Sequence, residues 1–197
     1  MTLRQFVRKP AAAERCQLCG AAISASHSHL IDVPSRRLAC ACSACAILFD
    51  GPSGRYRRVP DEVRFLPDFQ ISDAQWEALR LPINLAFFYL STPAKQIVAL
   101  FPSPAGATES LLPMDCWNEL VTANPVLADL RPDVEALLVN RISGRRLYWL
   151  APMDQCFKLV GLIRTHWRGL SGGTEVWERL DDFFDELRRR SEGGSHA

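Results

Sequence analysis

Two cysteine pairs constrain this chain more than any other feature. Cys16 and Cys19 stand in "ERCQLCG", Cys42 and Cys45 in "CSACAILFD", and twenty-two residues separate the pairs. A CxxC turn points two sulfurs at one place. Two such turns joined by a hairpin build a closed tetrahedral site of four sulfurs, suited to a structural zinc or to a single iron. The intervening stretch supports the hairpin: "HSHLID" and "RRLACA" read as strands and "VPSR" as their turn. Cys16, Cys19, Cys42 and Cys45 are the expected metal ligands. With every coordination position taken by sulfur, the ion is expected to staple the chain rather than to react.

Cys40 is the odd one of the cluster. On an extended strand it shares a face with Leu38 and Cys42, which puts it near the metal. Its plain reading is a small buried hydrophobe; the sharper one is a ligand set of Cys40, Cys42 and Cys45. His27 and His29 offer two more donors that could replace a thiolate in a Cys3His site, although hairpin surface residues are the plainer reading. Gly20, after Cys19, can take the positive φ that turns backbone amides toward sulfur. Ala46, after Cys45, fits that geometry less easily. A cycling iron relies on amide–sulfur bonds at both turns, so zinc is the expected ion and iron the alternative.

Charge is nearly balanced over the 197 residues, at +1, but unevenly spread. Residues 1–64 hold ten Lys/Arg against five Asp/Glu, and the remainder thirteen against seventeen, giving a basic head on an acidic body. The start, "MTLRQFVRKPAAAER", lacks the apolar stretch of a secretory signal. The most apolar run, "LPINLAFFYLS", is too short to span a bilayer. Seven cysteines without an export signal fit a reducing compartment rather than a disulfide framework. The expectation is a cytoplasmic protein with no membrane insertion.

Past the Gly/Pro-rich turn "GPSGRYRRVP", "ISDAQWEALR" reads as a short helix capped by Ser72 or Asp73, and "INLAFFYLS" as a buried strand. Residues 96–121 then align without a gap on residues 135–160, at an offset of 39. Each reads as strand, turn and strand, followed by Pro-Met-Asp and a helix, with Pro113 over Pro152 and Asp115 over Asp154. Proline ends the strand and aspartate is expected to cap the helix. The fold class is α+β: a zinc-ribbon-like metal hairpin, then an antiparallel sheet built from two β-β-α units with helices on one face. The expected division is a ribbon domain at 12–60, an α+β domain at 61–190 ending in an amphipathic helix, and a disordered tail at 191–197.

No nucleophile elbow, phosphate loop or dinucleotide fingerprint occurs, so the sequence gives no ground for an enzyme. Cys116 and Cys156 read as two buried thiols in preference to a redox pair. The segments "ERCQLCG", "HSHLID", "CSACAILFD", "GRYRRVP", "FPSPAGATESLLP", "NPVLADLRPDVEALLV" and "HWRGL" resemble an uncharacterised bacterial family, from about Glu14 to Leu187. Its members are often encoded beside nickel–iron hydrogenase structural and maturation genes. The resemblance implies an accessory protein of hydrogenase assembly or function, with hydrogenase subunits or maturation factors as partners, and it supplies no catalytic residue. Arg36, Arg37, Arg55, Arg57 and Arg58 are the expected partner-binding residues, steering the ribbon to an acidic protein surface. Two other readings stand beside this one: a rubredoxin-like iron electron carrier, and a ribbon whose arginines bind nucleic acid.

Overall fold

The computed structural model of the chain describes residues 14–51, 54–110, 112–169 and 171–193. Strands β1 (Ser28–Asp32) and β2 (Arg37–Ala41) form the expected antiparallel hairpin, with His29 opposite Cys40 and Ile31 opposite Leu38. Helix α1 (Ser43–Leu48) follows, and β3 (Tyr56–Arg58) pairs with the free edge of β1. Alternation gives this small sheet two faces. Leu30 and Ala41 pack with Cys16, Cys45 and Ala46 on one, while Ile31 and Leu38 join the main core on the other.

The body is a six-stranded antiparallel sheet. Its elements are β4 (Arg64–Phe65), α2 (Asp73–Ala78), β5 (Leu85–Ser91), β6 (Gln96–Ser103), β7 (Gly106–Ser110), α3 (Met114–Ala123), β8 (Glu135–Asn140), β9 (Leu147–Pro152), α4 (Met153–His166) and α5 (Thr174–Gly193). The strand order is β4-β9-β8-β5-β6-β7. A full capping box starts α2: Ser72 Oγ accepts the Gln75 amide at 3.1 Å and Gln75 Oε1 accepts the Ser72 amide at 2.9 Å. The final helix runs through Gly193, so residues 191–193 of the expected tail are helical, and 194–197 lie outside the described residues.

The α+β class holds, but helices cover both faces of the sheet rather than one. Ala86 and Phe88 of β5 face Trp76 and Leu79 around α2 and Trp117 and Leu120 of α3. Phe87 and Tyr89 face Leu159 and Ile163 of α4 and Leu180 and Phe184 of α5. A strand buried on both sides reads as a continuous apolar run, which is how "LAFFYLS" and "EALLVN" look in the sequence.

Both aligned segments are β-β-α units within this one sheet: β6-β7-α3 and β8-β9-α4. β6 and β8 both run antiparallel to β5, one on each side of it. A half-turn about an axis along β5 exchanges the units and turns the sheet over. Aligned residues accordingly face opposite ways: Ile97 and Ala99 join the α3 face, while their equivalents Ala136 and Leu138 join the α4 face. The pairing is also offset by one residue, since Leu100 opposes Phe87 whereas its equivalent Val139 opposes Ala86. Opposite-facing copies require such an odd offset. The helices must therefore lie on opposite faces. Residue 111, which falls in the first unit, lies outside the described residues. Pro113 and Pro152 occupy the N-cap positions, with no side-chain cap bond. Asp115 and Asp154 are not the caps expected; each sits in the first helical turn, where a negative charge suits the helix dipole.

Two-sided burial has a direct test in adjacent residues. Leu137 and Leu138 are both fully enclosed, on opposite faces. Leu137→Ala and Leu138→Ala should each lower stability in denaturant unfolding by about 2–5 kcal/mol. A sheet open on one side would leave one of them nearly silent.

Candidate metal centre

The first turn, at Cys16–Cys19, is locked onto the end of β2. The Gln17 amide donates to the Cys40 carbonyl at 2.9 Å, and Gln17 Oε1 accepts the Cys40 amide at 2.8 Å. Gly20 closes the turn with a φ of 77°, its amide donating to the Cys16 carbonyl at 2.8 Å. The second turn is the start of α1. Cys42 is its N-cap, with Sγ accepting the Cys45 amide at 3.4 Å, and Ala46 donates to the Cys42 carbonyl at 2.9 Å. Ala46 lies inside that helix and needs no positive φ. The expected weakness of the second turn is therefore absent, because a helical first turn aims its amide at sulfur as well as a glycine knuckle does.

One sulfur from each of Cys16, Cys19, Cys42 and Cys45 lies within 4.8 Å of the others, and Cys19 Sγ stands 3.8 Å from Cys42 Sγ. Four thiolates at zinc–sulfur distances of about 2.3 Å form a tetrahedron with edges of about 3.8 Å. The four-sulfur set thus fits one ion of the zinc or iron class. Burial pushes the Cys16 thiol up, but the backbone amides of Cys42, Cys19 and Leu18 outweigh it and lower the thiol to about 6. Burial, and hydrogen bonds to Cys19, Cys42 and Cys16, raise Cys45 to about 12. Binding an ion through all four sulfurs releases the protons they hold.

Cys40 is outside this set. Cys42 leaves the strand to cap α1, so the two do not share a face as the extended reading has it. Cys40 instead gathers with His27 and His29, one donor atom of each lying within 4.8 Å of the others. The two histidines are not hairpin surface residues: the His27 side chain is 8% exposed, and His29 Nδ1 lies 3.0 Å from Asp154 Oδ2 on α4. Cys116 and Cys156 sit on helices covering opposite faces of the sheet, which rules out a direct pair. Burial, with Asp154 adding to it, holds Cys156 far above the ordinary thiol range.

The five arginines do not form one open patch. Arg57 faces the body, where its side chain is 19% exposed and pairs at 3.1 Å with Asp133, 4% exposed. Arg36 donates to Glu109 Oε2 on β7 at 2.9 Å, and Arg55 grips Asp32 through two bonds of 3.2 and 2.8 Å. Arg58 lies 3.8 Å from Asp61, and Arg37 is exposed on β2. What the charge pattern missed is apolar: Ile47, Leu48 and Phe49 stand 73%, 76% and 42% exposed at the end of α1. The available signal was "AILF" directly after the last cysteine of the cluster, in a ribbon too small to bury it.

Fold and site define an α+β protein carrying a four-cysteine cluster able to hold a metal ion. The chain belongs to a family of unknown function, DUF5947, whose model matches residues 15–191. No curated protein and no solved structure matches it. No helix among the described residues is long and apolar enough to cross a membrane.

Two measurements check this centre. Serine at any one of positions 16, 19, 42 or 45 should empty it, so that metal analysis finds about one ion fewer per chain than in the wild type, while Cys116→Ser and Cys156→Ser leave it filled. Arg57→Glu, which strands Asp133 beside a like charge, should cost about 3–5 kcal/mol in denaturant unfolding. An exposed steering residue would cost almost nothing.

Proposed function

We propose that this protein is an accessory factor that docks on a protein partner through its metal-stapled ribbon, with zinc as the staple and nickel–iron hydrogenase production as the setting. The observation that carries the docking role is the exposed trio Ile47, Leu48 and Phe49. These side chains extend from a helix whose N-cap is a ligand sulfur, so the staple holds an apolar patch rigidly in solvent. Exposed Arg37 and Arg58 add positive charge on the same ribbon, suiting a partner with an apolar spot in an acidic surround. The closed four-sulfur set supports a structural ion. The hydrogenase setting rests on the sequence motifs shared with that bacterial family.

One observation favours a second reading. Backbone amides reach sulfur at both turns, at Cys16 and at Cys42, as an iron electron carrier requires. The metal decides between the two. Protein from cells supplied with both metals is expected to be colourless, to contain zinc, and to be unchanged by dithionite. A red preparation that bleaches would put the electron carrier first.

The docking role is tested in the native host. Ile47→Asp with Leu48→Asp should leave metal content and unfolding unchanged, since both side chains are exposed. Co-purification with hydrogenase components and hydrogenase activity should fall at least about tenfold, the effect of losing one apolar hot spot. Full activity and undiminished co-purification would refute the role.

A further inference from the structure

The gathering of His27, His29 and Cys40 lies on the body-facing side of the hairpin, away from the four-cysteine set. His29 and Cys40 are direct cross-strand partners in β1 and β2, and a cross-strand pair shares a face. His27 precedes β1, two residues before His29. Its ring is brought in by the turn before the strand, where Nδ1 lies 2.8 Å from the Ser24 carbonyl and 3.4 Å from Glu14 Oε2.

The hydrogen bonds decide what each ring can offer. A carbonyl only accepts, so Nδ1 of His27 carries the ring proton and Nε2 is left as a bare lone pair. That Nε2 is buried without any hydrogen-bond partner, on a side chain 8% exposed. Asp154 acts on His29 in the same sense. As a carboxylate it accepts from Nδ1 at 3.0 Å and leaves Nε2 of that ring as the donor to a ligand. A carboxylate bonded to the far nitrogen of an imidazole is the arrangement that orients histidine ligands on metals. Asp154 itself is placed by the first turn of α4, and its other oxygen, Oδ1, is also buried and unpartnered. Native interiors rarely leave such atoms unpaired, and a ligand is one of the few explanations when they do.

We propose that His27, His29 and Cys40 form a second metal centre, taking a divalent ion of the zinc class through two imidazole nitrogens and one sulfur. The imidazoles bind as neutral donors and release nothing, while the Cys40 thiol gives its proton to solvent as the sulfur–metal bond forms. Three protein ligands leave a fourth tetrahedral position for water or for a donor atom from outside the chain, which the four-cysteine set does not. Asp154 is the positioning residue. This centre sits in the seam between ribbon and body, and it stands whether or not the ribbon docks on a hydrogenase component.

The full chain, stripped of metal and titrated with zinc against a chromophoric chelator, should bind two ions, in two classes of site. His29→Ala and Cys40→Ser should each remove one class and keep the other, with the near-ultraviolet circular dichroism of the filled first site as the check on folding. Asp154→Asn should keep both classes and weaken the second roughly 10–100-fold. Unchanged affinity there would overturn the positioning role. Cobalt(II) bound to the wild-type chain needs no variant. Its second equivalent should add thiolate-to-cobalt absorption about one-quarter as strong as the first, for one sulfur against four. A wild-type chain that binds one ion, or a second equivalent with no thiolate absorption, would overturn the proposal.

Discussion

The alternation of side chains along the β1–β2 hairpin decides where everything else in the ribbon goes. Residues 30 and 41 point to one side and 29, 31, 38 and 40 to the other. A register slip of one residue would exchange these sets, sending Ile31 into the cysteine cluster and Leu30 against the body. The register is pinned from three directions. Gln17 clasps the Cys40 backbone with its own amide and its side-chain Oε1, Arg57 on β3 reaches Asp133, and Arg36 in the hairpin turn reaches Glu109. A closed metal site needs its four sulfurs placed within tenths of an ångström. A hairpin held at both ends can do that; a loop cannot.

The body supplies the fixed side of these contacts through its pseudo-symmetry. Glu109 belongs to the first β-β-α unit and Asp154 to the second, and Asp133 lies two residues before the start of β8. The ribbon therefore straddles the axis along β5, touching both units rather than hanging from one. Asp133 also accepts the Thr92 amide at 2.8 Å, tying the β5–β6 turn to Arg57. Such a buried pair gives little net stability when formed, because desolvating both charges offsets their attraction. Its consequence is geometric: a buried, directional pair helps fix the angle at which the ribbon meets the sheet.

What the sequence disclosed depended on how far apart the deciding residues lie. The CxxC turns, the Ser72 box and the proline before each repeated helix are signals contained within four residues, and each marks its element correctly. The four-cysteine cluster was legible for the same reason, since two local turns and a hairpin bring its sulfurs together. Long-range facts were not. Arg57 looks like a surface charge until Asp133, 76 positions later, closes on it, and His29 looks like a hairpin surface residue until Asp154 arrives from α4. Ala46 misled in another way: the glycine rule for metal knuckles applies to a loop, whereas the chain there is already helical. The two-sided sheet was written in the unbroken apolar runs of β5 and β8. The alignment of two β-β-α units drew attention to their likeness and away from the inversion that relates them.

The staple and the surface it presents are not separable. A helix of six residues does not persist alone in water, where nucleation costs more than so few hydrogen bonds return. α1 has two anchors: Cys42 and Cys45 at its start, and the buried Ala46 against Leu30 and Ala41. The exposed Ile47 and Leu48 take no part in that anchoring, since apolar groups in solvent gain nothing from being ordered, and Phe49 adds only an edge-on ring contact with Tyr56. With an ion in the four-cysteine set, the order of α1 would be set by sulfur–metal bonds, and the proposed docking patch would be preorganised without a further entropy cost. Without it, the same residues become a fluctuating apolar segment. On the proposed reading, a structural metal with no open coordination position would still govern function, because it would determine whether the docking surface exists as a surface.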